Sequence, residues 1–142
     1  MPNMSNWISS GLRDQVFRTK TWAKPGTIAV ALSSGTPNPT FTGSSMLEWQ
    51  NANGYARQNV GTGDIVWSAD DNLNGYTYNN QAITFPICTP NDGGWTSGIC
   101  LVDNATYGVG NIIVWGSSVV AKYFQLNDQV VIPVSGLSFQ FR

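Results

Sequence analysis

The chain has 142 residues, of which 42% are hydrophobic, 12% aromatic and 11% charged, and its formal net charge is -1. That length favours one domain with a self-sufficient core. The near-neutral charge balance argues against a whole-chain nucleic-acid binder, and no apolar run approaches the ~20 residues of a membrane helix. We therefore expect a soluble protein without a cleaved export signal, whose partners include neither nucleic acid nor a membrane.

The chain contains no histidine, which excludes Ser-His-Asp and Cys-His catalysis and His-containing zinc sites. The two cysteines, Cys88 and Cys100, are predicted to be buried free thiols, with a disulfide between neighbouring strands as the alternative. We interpret Asp64, Asp70 and Asp71 as turn carboxylates rather than a catalytic pair. The sequence therefore predicts no enzyme, and no catalytic, cofactor-binding or metal-ligating residue.

The first 24 residues differ in charge from the rest of the chain. This N-terminal arm sums to +3, whereas residues 25–142 sum to -4. Apolar residues at helical spacing after Ser5, a plausible N-cap, predict one amphipathic helix over about residues 5–18. The arm offers a partner six apolar and four basic side chains: Trp7, Ile8, Leu12, Val16, Phe17 and Trp22, and Arg13, Arg18, Lys20 and Lys24. We expect two parts, the arm at 1–24 and a β domain at 25–142.

From Thr27 onward, short apolar and β-branched runs alternate with Gly, Pro, Asn and Asp clusters. The runs are 27–33, 64–68, 81–85, 98–103, 111–116, 129–134 and 137–141. In the last run Leu137 and Phe139 alternate with polar residues, which indicates a half-buried antiparallel strand. This pattern predicts an all-β fold, an antiparallel β-sandwich with one N-terminal helix.

Two long polar segments, 35–53 and 69–80, interrupt the β pattern, and loops of such length are usually functional. Aromatic residues expected on loops offer a partner surface for either a sugar or a protein, and the low charge of the chain favours a protein. These residues are Trp49, Tyr76, Tyr78, Trp95 and Tyr107.

Several short motifs occur in an order that resembles a family of small virion proteins of tailed bacteriophages. After the N-terminal helix come the strand 27–33 with Thr36-Pro37, then Glu48, the Gly54-Tyr55-Ala56-Arg57 segment, 82–86, Trp95, Gly98-Ile99, 111–116, Asn127-Asp128 and 136–139. The resemblance covers about residues 7–142, and each motif is generic by itself.

The resemblance implies a virion component with a jelly-roll-like sandwich. We expect a non-enzymatic capsid cement or decoration protein on the outer capsid surface, made in the host cytoplasm. Its expected partners are the major capsid protein and further copies of itself. The alternative is a tail or baseplate component, including a receptor-binding tip that touches host glycan.

Two structural questions stay open at this stage. Arg57 is expected to anchor a loop through hydrogen bonds to backbone carbonyls, or to reach a neighbouring subunit. The N-terminal helix either docks on a neighbouring protein or packs on its own sandwich and covers a sheet edge.

Overall fold

The fold is known from a computed structural model that describes residues 3–49, 54–69, 75–89 and 94–140. Through these residues run one helix and a series of mostly short strands. They are β1 (Asn3–Met4), α1 (Asn6–Phe17), β2 (Ala29–Ser33), β3 (Gln58–Asn59), β4 (Trp67–Ala69), β5 (Tyr76–Asn79), β6 (Ile83–Ile87), β7 (Gly94–Val102), β8 (Ile112–Phe124), β9 (Gln129–Ile132) and β10 (Ser138–Gln140).

The strands form three antiparallel sheets. The largest has the order β1-β8-β7-β2-β3, a second has the order β10-β5-β4, and β6 pairs with β9 in a third. The predicted all-β sandwich with one N-terminal helix is confirmed. The helix also matches its predicted bounds closely, since α1 begins directly after Ser5, whose hydroxyl accepts a hydrogen bond from the Ile8 N–H at 3.3 Å.

The placement of three aromatic residues on loops is wrong. Tyr76 and Tyr78 lie in β5, which is bonded on one side to β4 and on the other to β10. Trp95 lies near the start of β7, opposite Tyr123 of β8. Polar flanking residues make these strands hard to recognise in the sequence, although the backbone there pairs with at least one neighbouring strand. Parts of both predicted loops, residues 50–53 and 70–74, lie outside the described residues.

Strand β2 is buried on both faces, which explains why its sequence is an unbroken apolar run rather than an alternating one. Val30 and Leu32 face the main core, and Ala29 and Ala31 face the other way. The segment 34–49 covers that second face, where Met46 packs over the two alanines. The predicted long loop is thus largely a lid over the back of the sheet.

The main core lies between the large sheet and the two smaller ones. Val30 and Leu32 meet side chains from the opposing strands and their connections there. The larger buried members on that side are Ile83, Phe85, Ile132, Leu137 and Phe139.

Helix α1 packs its first turns on β8. The Ser5 hydroxyl donates to the Ile112 carbonyl, and the Ser5 N–H donates to the Ile113 carbonyl at 3.1 Å. Ile8 is 6% exposed and joins the main core, whereas Val16, two turns later, is 68% exposed. The helix therefore packs on its own sandwich at one end and presents side chains to solvent at the other.

We expect Ile8→Ala to lower the free energy of unfolding by about 2–4 kcal/mol, because it leaves a cavity under α1. Val16→Ala is the matched control on the same helix, and we expect a change of less than about 0.5 kcal/mol from it. Urea denaturation of both variants measures the difference. Equal losses would contradict the docking of α1 through its first turns.

Candidate functional site

A buried ion pair joins Arg57 to Glu48 behind the large sheet. The Arg57 Nε lies 2.7 Å from one Glu48 carboxylate oxygen, and Nη2 lies 2.7 Å from the other. The two side chains are 0% and 2% exposed. A two-point contact of this kind fixes both side chains in direction as well as distance.

The remaining Arg57 donors bind backbone carbonyls of two loops. Nη1 donates to Asn104 and Val109 at 2.8 and 2.7 Å, and Nη2 donates to Gly43 at 3.2 Å. All five guanidinium N–H groups therefore have acceptors. The expectation that Arg57 anchors loops through backbone carbonyls is confirmed, and its burial leaves it no surface for a neighbouring subunit.

Tyr55 extends this cluster toward β2. Its hydroxyl donates to Glu48 Oε1 at 2.7 Å and accepts from the Leu32 N–H at 3.0 Å. Burial, reinforced by the Glu48 charge, raises the pKa of Tyr55 above its ordinary value. The phenol thus stays protonated and serves as a fixed donor.

The two cysteines are buried free thiols, as predicted. Burial, with a further contribution from Glu48, raises the pKa of Cys100 to about 12. Burial also raises the pKa of Cys88, where Asp128 adds to the effect. Both thiols are therefore weak nucleophiles at neutral pH.

The outer half of α1 carries an exposed apolar stripe, here called the helix stripe. It consists of Leu12, Val16 and Phe17, which are 38%, 68% and 82% exposed. These three belong to the predicted partner-binding set and lie on the surface. Ile8 of the same set does not, because it is buried in the main core.

The basic residues of the arm are exposed, and two of them share one carboxylate. Asp14 lies 3.0 Å from Arg13 and 3.6 Å from Arg18. Lys20 and Lys24 are also exposed. Exposed pairs of this kind contribute little to stability. The four basic side chains of the arm all face solvent.

Trp22 folds back over α1 rather than extending away from it. Its ring lies against Gly11, where an added side chain would collide with it. It also meets Trp7 edge to face, with ring centroids 5.2 Å apart. Trp7 and Trp22 thus pack on each other and against the main core, and both are half-buried.

An exposed aromatic pair lies at the open end of the β7–β8 hairpin, away from the turn that joins the two strands. Trp95 and Tyr123 are cross-strand partners with ring centroids 5.2 Å apart, and they are 55% and 46% exposed. We expected Trp49 on the surface, and that prediction is wrong. It is 7% exposed, and its indole N–H donates to the Trp95 carbonyl at 2.8 Å.

Of the other predicted loop aromatics, Tyr76 is 41% exposed and Tyr78 is half-buried. Tyr107 is 38% exposed and packs edge to face on Tyr55. These side chains do not meet the Trp95 and Tyr123 pair in a common aromatic surface.

A groove of about 570 Å³ opens between the large sheet and the strands β9 and β10. Its floor contains Leu32, Leu137 and Phe139, and Lys122 lines one side. No sequence pattern indicates this groove, because its lining comes from strands far apart in the chain. Tyr123 was missed for the same reason, since the register of β7 and β8 alone places it beside Trp95.

Among residues 3–49, 54–69, 75–89 and 94–140, no group of three or more His, Cys, Asp or Glu side chains is placed to hold a metal ion. Across the same residues, no helix has the length and apolarity needed to cross a bilayer.

The ordered core, the buried ion pair and the exposed apolar patches define a small all-β protein whose prominent surface features suit contacts with other macromolecules. The family model described as "Podophage GP4 fiber I protein gp80" matches residues 3–140, and the chain belongs to that family. It is accordingly a structural protein of a phage virion, in a family with a fibre name. None of the curated proteins matches the chain.

We expect Arg57→Met to lower the free energy of unfolding by about 3–5 kcal/mol, because it leaves the Glu48 carboxylate buried without its partner. Arg13→Met is the matched control at an exposed pair and should cost less than about 1 kcal/mol. Urea denaturation gives both values. Equal effects at the two positions would show that the buried pair does not hold the loops.

Stability should fall as the pH rises above about 9. The folded state keeps the proton of Cys100 up to a pKa of about 12, whereas the unfolded chain releases it near 9.0. The unfolding free energy then decreases toward a slope of about 1.4 kcal/mol per pH unit for this one group. Denaturation in a reducing buffer from pH 8 to 10 should show a shallower decline for Cys100→Ala than for the unmodified chain. An unchanged slope would contradict the raised pKa.

Proposed function

We propose that the protein is a subunit of a phage fibre and that it acts by binding its neighbours rather than by catalysis. The observation that carries this proposal is the family match, which spans residues 3–140 and has a fibre name. The match leaves almost none of the chain to a second, unrelated module. A fibre subunit needs a rigid body and exposed contact surfaces, and it needs no reactive group.

The described surface supports a binding role. The helix stripe and the Trp95 and Tyr123 pair expose large apolar side chains at two separate places. Exposed aromatic residues of this kind are enriched in protein interfaces. The ionisable groups of the interior, in contrast, are held in structural bonds, as Arg57, Glu48 and Tyr55 are.

A head cement role is the second candidate. The observation in its favour is the helix stripe beside four exposed cations, since such a surface suits a partner with an acidic face. On this alternative the partner is the major capsid protein and the location is the outer capsid surface. The helix stripe would then lie along a joint between capsid subunits.

Fractionation of virions separates the two candidates. We expect the protein to remain with isolated tails and fibres, in a few dozen copies or fewer per particle, when heads and tails are separated and quantified by mass spectrometry. Retention on tailless heads in hundreds of copies would overturn the fibre proposal and favour cement.

Incorporation of variants into particles tests the proposed surfaces. We expect Phe17→Ser and Trp95→Ser to fold normally but to be incorporated several-fold less well, because each removes an exposed apolar contact. Val109→Ser is the matched control, since Val109 is 46% exposed and lies in neither surface. Normal incorporation of both variants would exclude the two surfaces as partner contacts.

A further inference from the structure

The groove between the large sheet and strands β9 and β10 has an apolar floor. Leu137 and Phe139 on that floor are 8% and 5% exposed, and Val131 at the side is 52% exposed. Its volume of about 570 Å³ is several times the ~150 Å³ of an apolar cavity that holds one benzene. The groove therefore has room for a large apolar side chain together with its neighbours.

The charge of the groove restricts what it accepts. Lys122 is the one ionisable side chain among the described lining residues, and within the described ranges it forms no ion pair. An occupant with a carboxylate beside an apolar group would match both properties. The helix stripe of another copy matches less well, because its neighbouring carboxylate, Asp14, is already paired with Arg13 and Arg18.

One exposed loop of the chain has the required chemistry. Ile65 is 79% exposed and follows Asp64, whose carboxylate is exposed and forms no ion pair in the described part of the chain. The loop is held firmly: the Trp67 indole N–H donates to Gly61 O at 2.9 Å, and the Asn80 amide donates to Asp64 O at 3.1 Å. Ile65 thus projects as a fixed apolar knob next to a negative charge.

We propose that the Asp64-Ile65 loop of one copy docks in the groove of a second copy, with Ile65 on the apolar floor and Asp64 beside Lys122. The exposure of Ile65 shows that the loop does not fill the groove of its own chain. Because the loop and the groove are different surfaces, two copies can exchange loops reciprocally in a closed dimer. Alternatively, each copy binds the next one head to tail. Such contacts form open chains or closed rings, according to the rotation between copies.

This inference deepens the proposed fibre role, since it assigns the surface through which subunits contact one another. Sedimentation of the full chain over a range of concentrations tests it directly. We expect reversible self-association, weakened about tenfold or more by Ile65→Ser, because the substitution removes the buried apolar group. Val109→Ser, at another exposed valine, is the control and should associate like the unmodified chain.

A charge exchange tests the proposed pairing of residues. Lys122→Glu and Asp64→Lys should each weaken association several-fold through repulsion, and the double variant should recover most of the loss. Lys24→Glu makes the same charge change on the arm and should leave association unchanged. Circular dichroism confirms that each variant is folded.

Three results would overturn the inference: a chain that stays monomeric at high concentration, association insensitive to Ile65→Ser, or a double variant no better than the single ones. None of these would bear on where the protein lies in the virion. The fractionation of heads and tails tests that location separately, so failure of the docking contact and failure of the fibre role are distinguishable.

Discussion

The buried contact between Arg57 and Glu48 is the interaction on which the back of the large sheet depends. Glu48 lies in the segment that covers β2, and Arg57 lies beyond it in the chain, so the pair fixes the cover to the body. The same guanidinium binds the cover a second time at the Gly43 carbonyl, and it holds the loop between β7 and β8 at Asn104 and Val109. Because such a pair is costly to bury unless every donor and acceptor is used, the loops around it have little freedom. The rigid body that results is what allows exposed side chains elsewhere to be presented at fixed positions.

The exposed surfaces differ in chemistry and therefore in the partners they suit. The helix stripe is apolar with basic neighbours, whereas the Asp64-Ile65 loop is apolar with an acidic one. The groove with Lys122 complements the second, whereas the carboxylate beside the first, Asp14, is already paired with Arg13 and Arg18. A subunit with unlike contact surfaces can bind several neighbours at once, which is what a fibre or a capsid joint requires. The family match makes the protein a virion component. Where these surfaces lie in the particle depends on whether the protein is a fibre subunit, as proposed.

Much of the fold was predictable because it depends on local patterns. The Ser5 cap, the spacing of Ile8 and Leu12 and the alternation at Leu137 and Phe139 each specify an element within a few residues. Predictions about exposure were less successful. Trp49 follows a polar segment and was expected at the surface, yet it is buried against Tyr55 and against Phe124, and Phe124 is distant in sequence. The polar neighbours of Tyr76, Tyr78 and Trp95 hide the strand pattern in the sequence. These strands form by hydrogen bonding to other strands rather than through local propensity.

The sequence by itself determined the all-β class, the position of the helix, the two buried thiols and the absence of histidine chemistry. Each follows from composition or from short-range periodicity, which act before any long-range contact forms. Only the tertiary structure decided which aromatic side chains are exposed, that Arg57 meets Glu48, and that a groove lies beside Lys122. Arg57 and Glu48 are nine positions apart, and the other features join residues tens of positions apart. Their geometry depends on the register of β7 against β8 and on the packing of three sheets. Neither the strand register nor the packing of the sheets can be read from a local stretch of sequence.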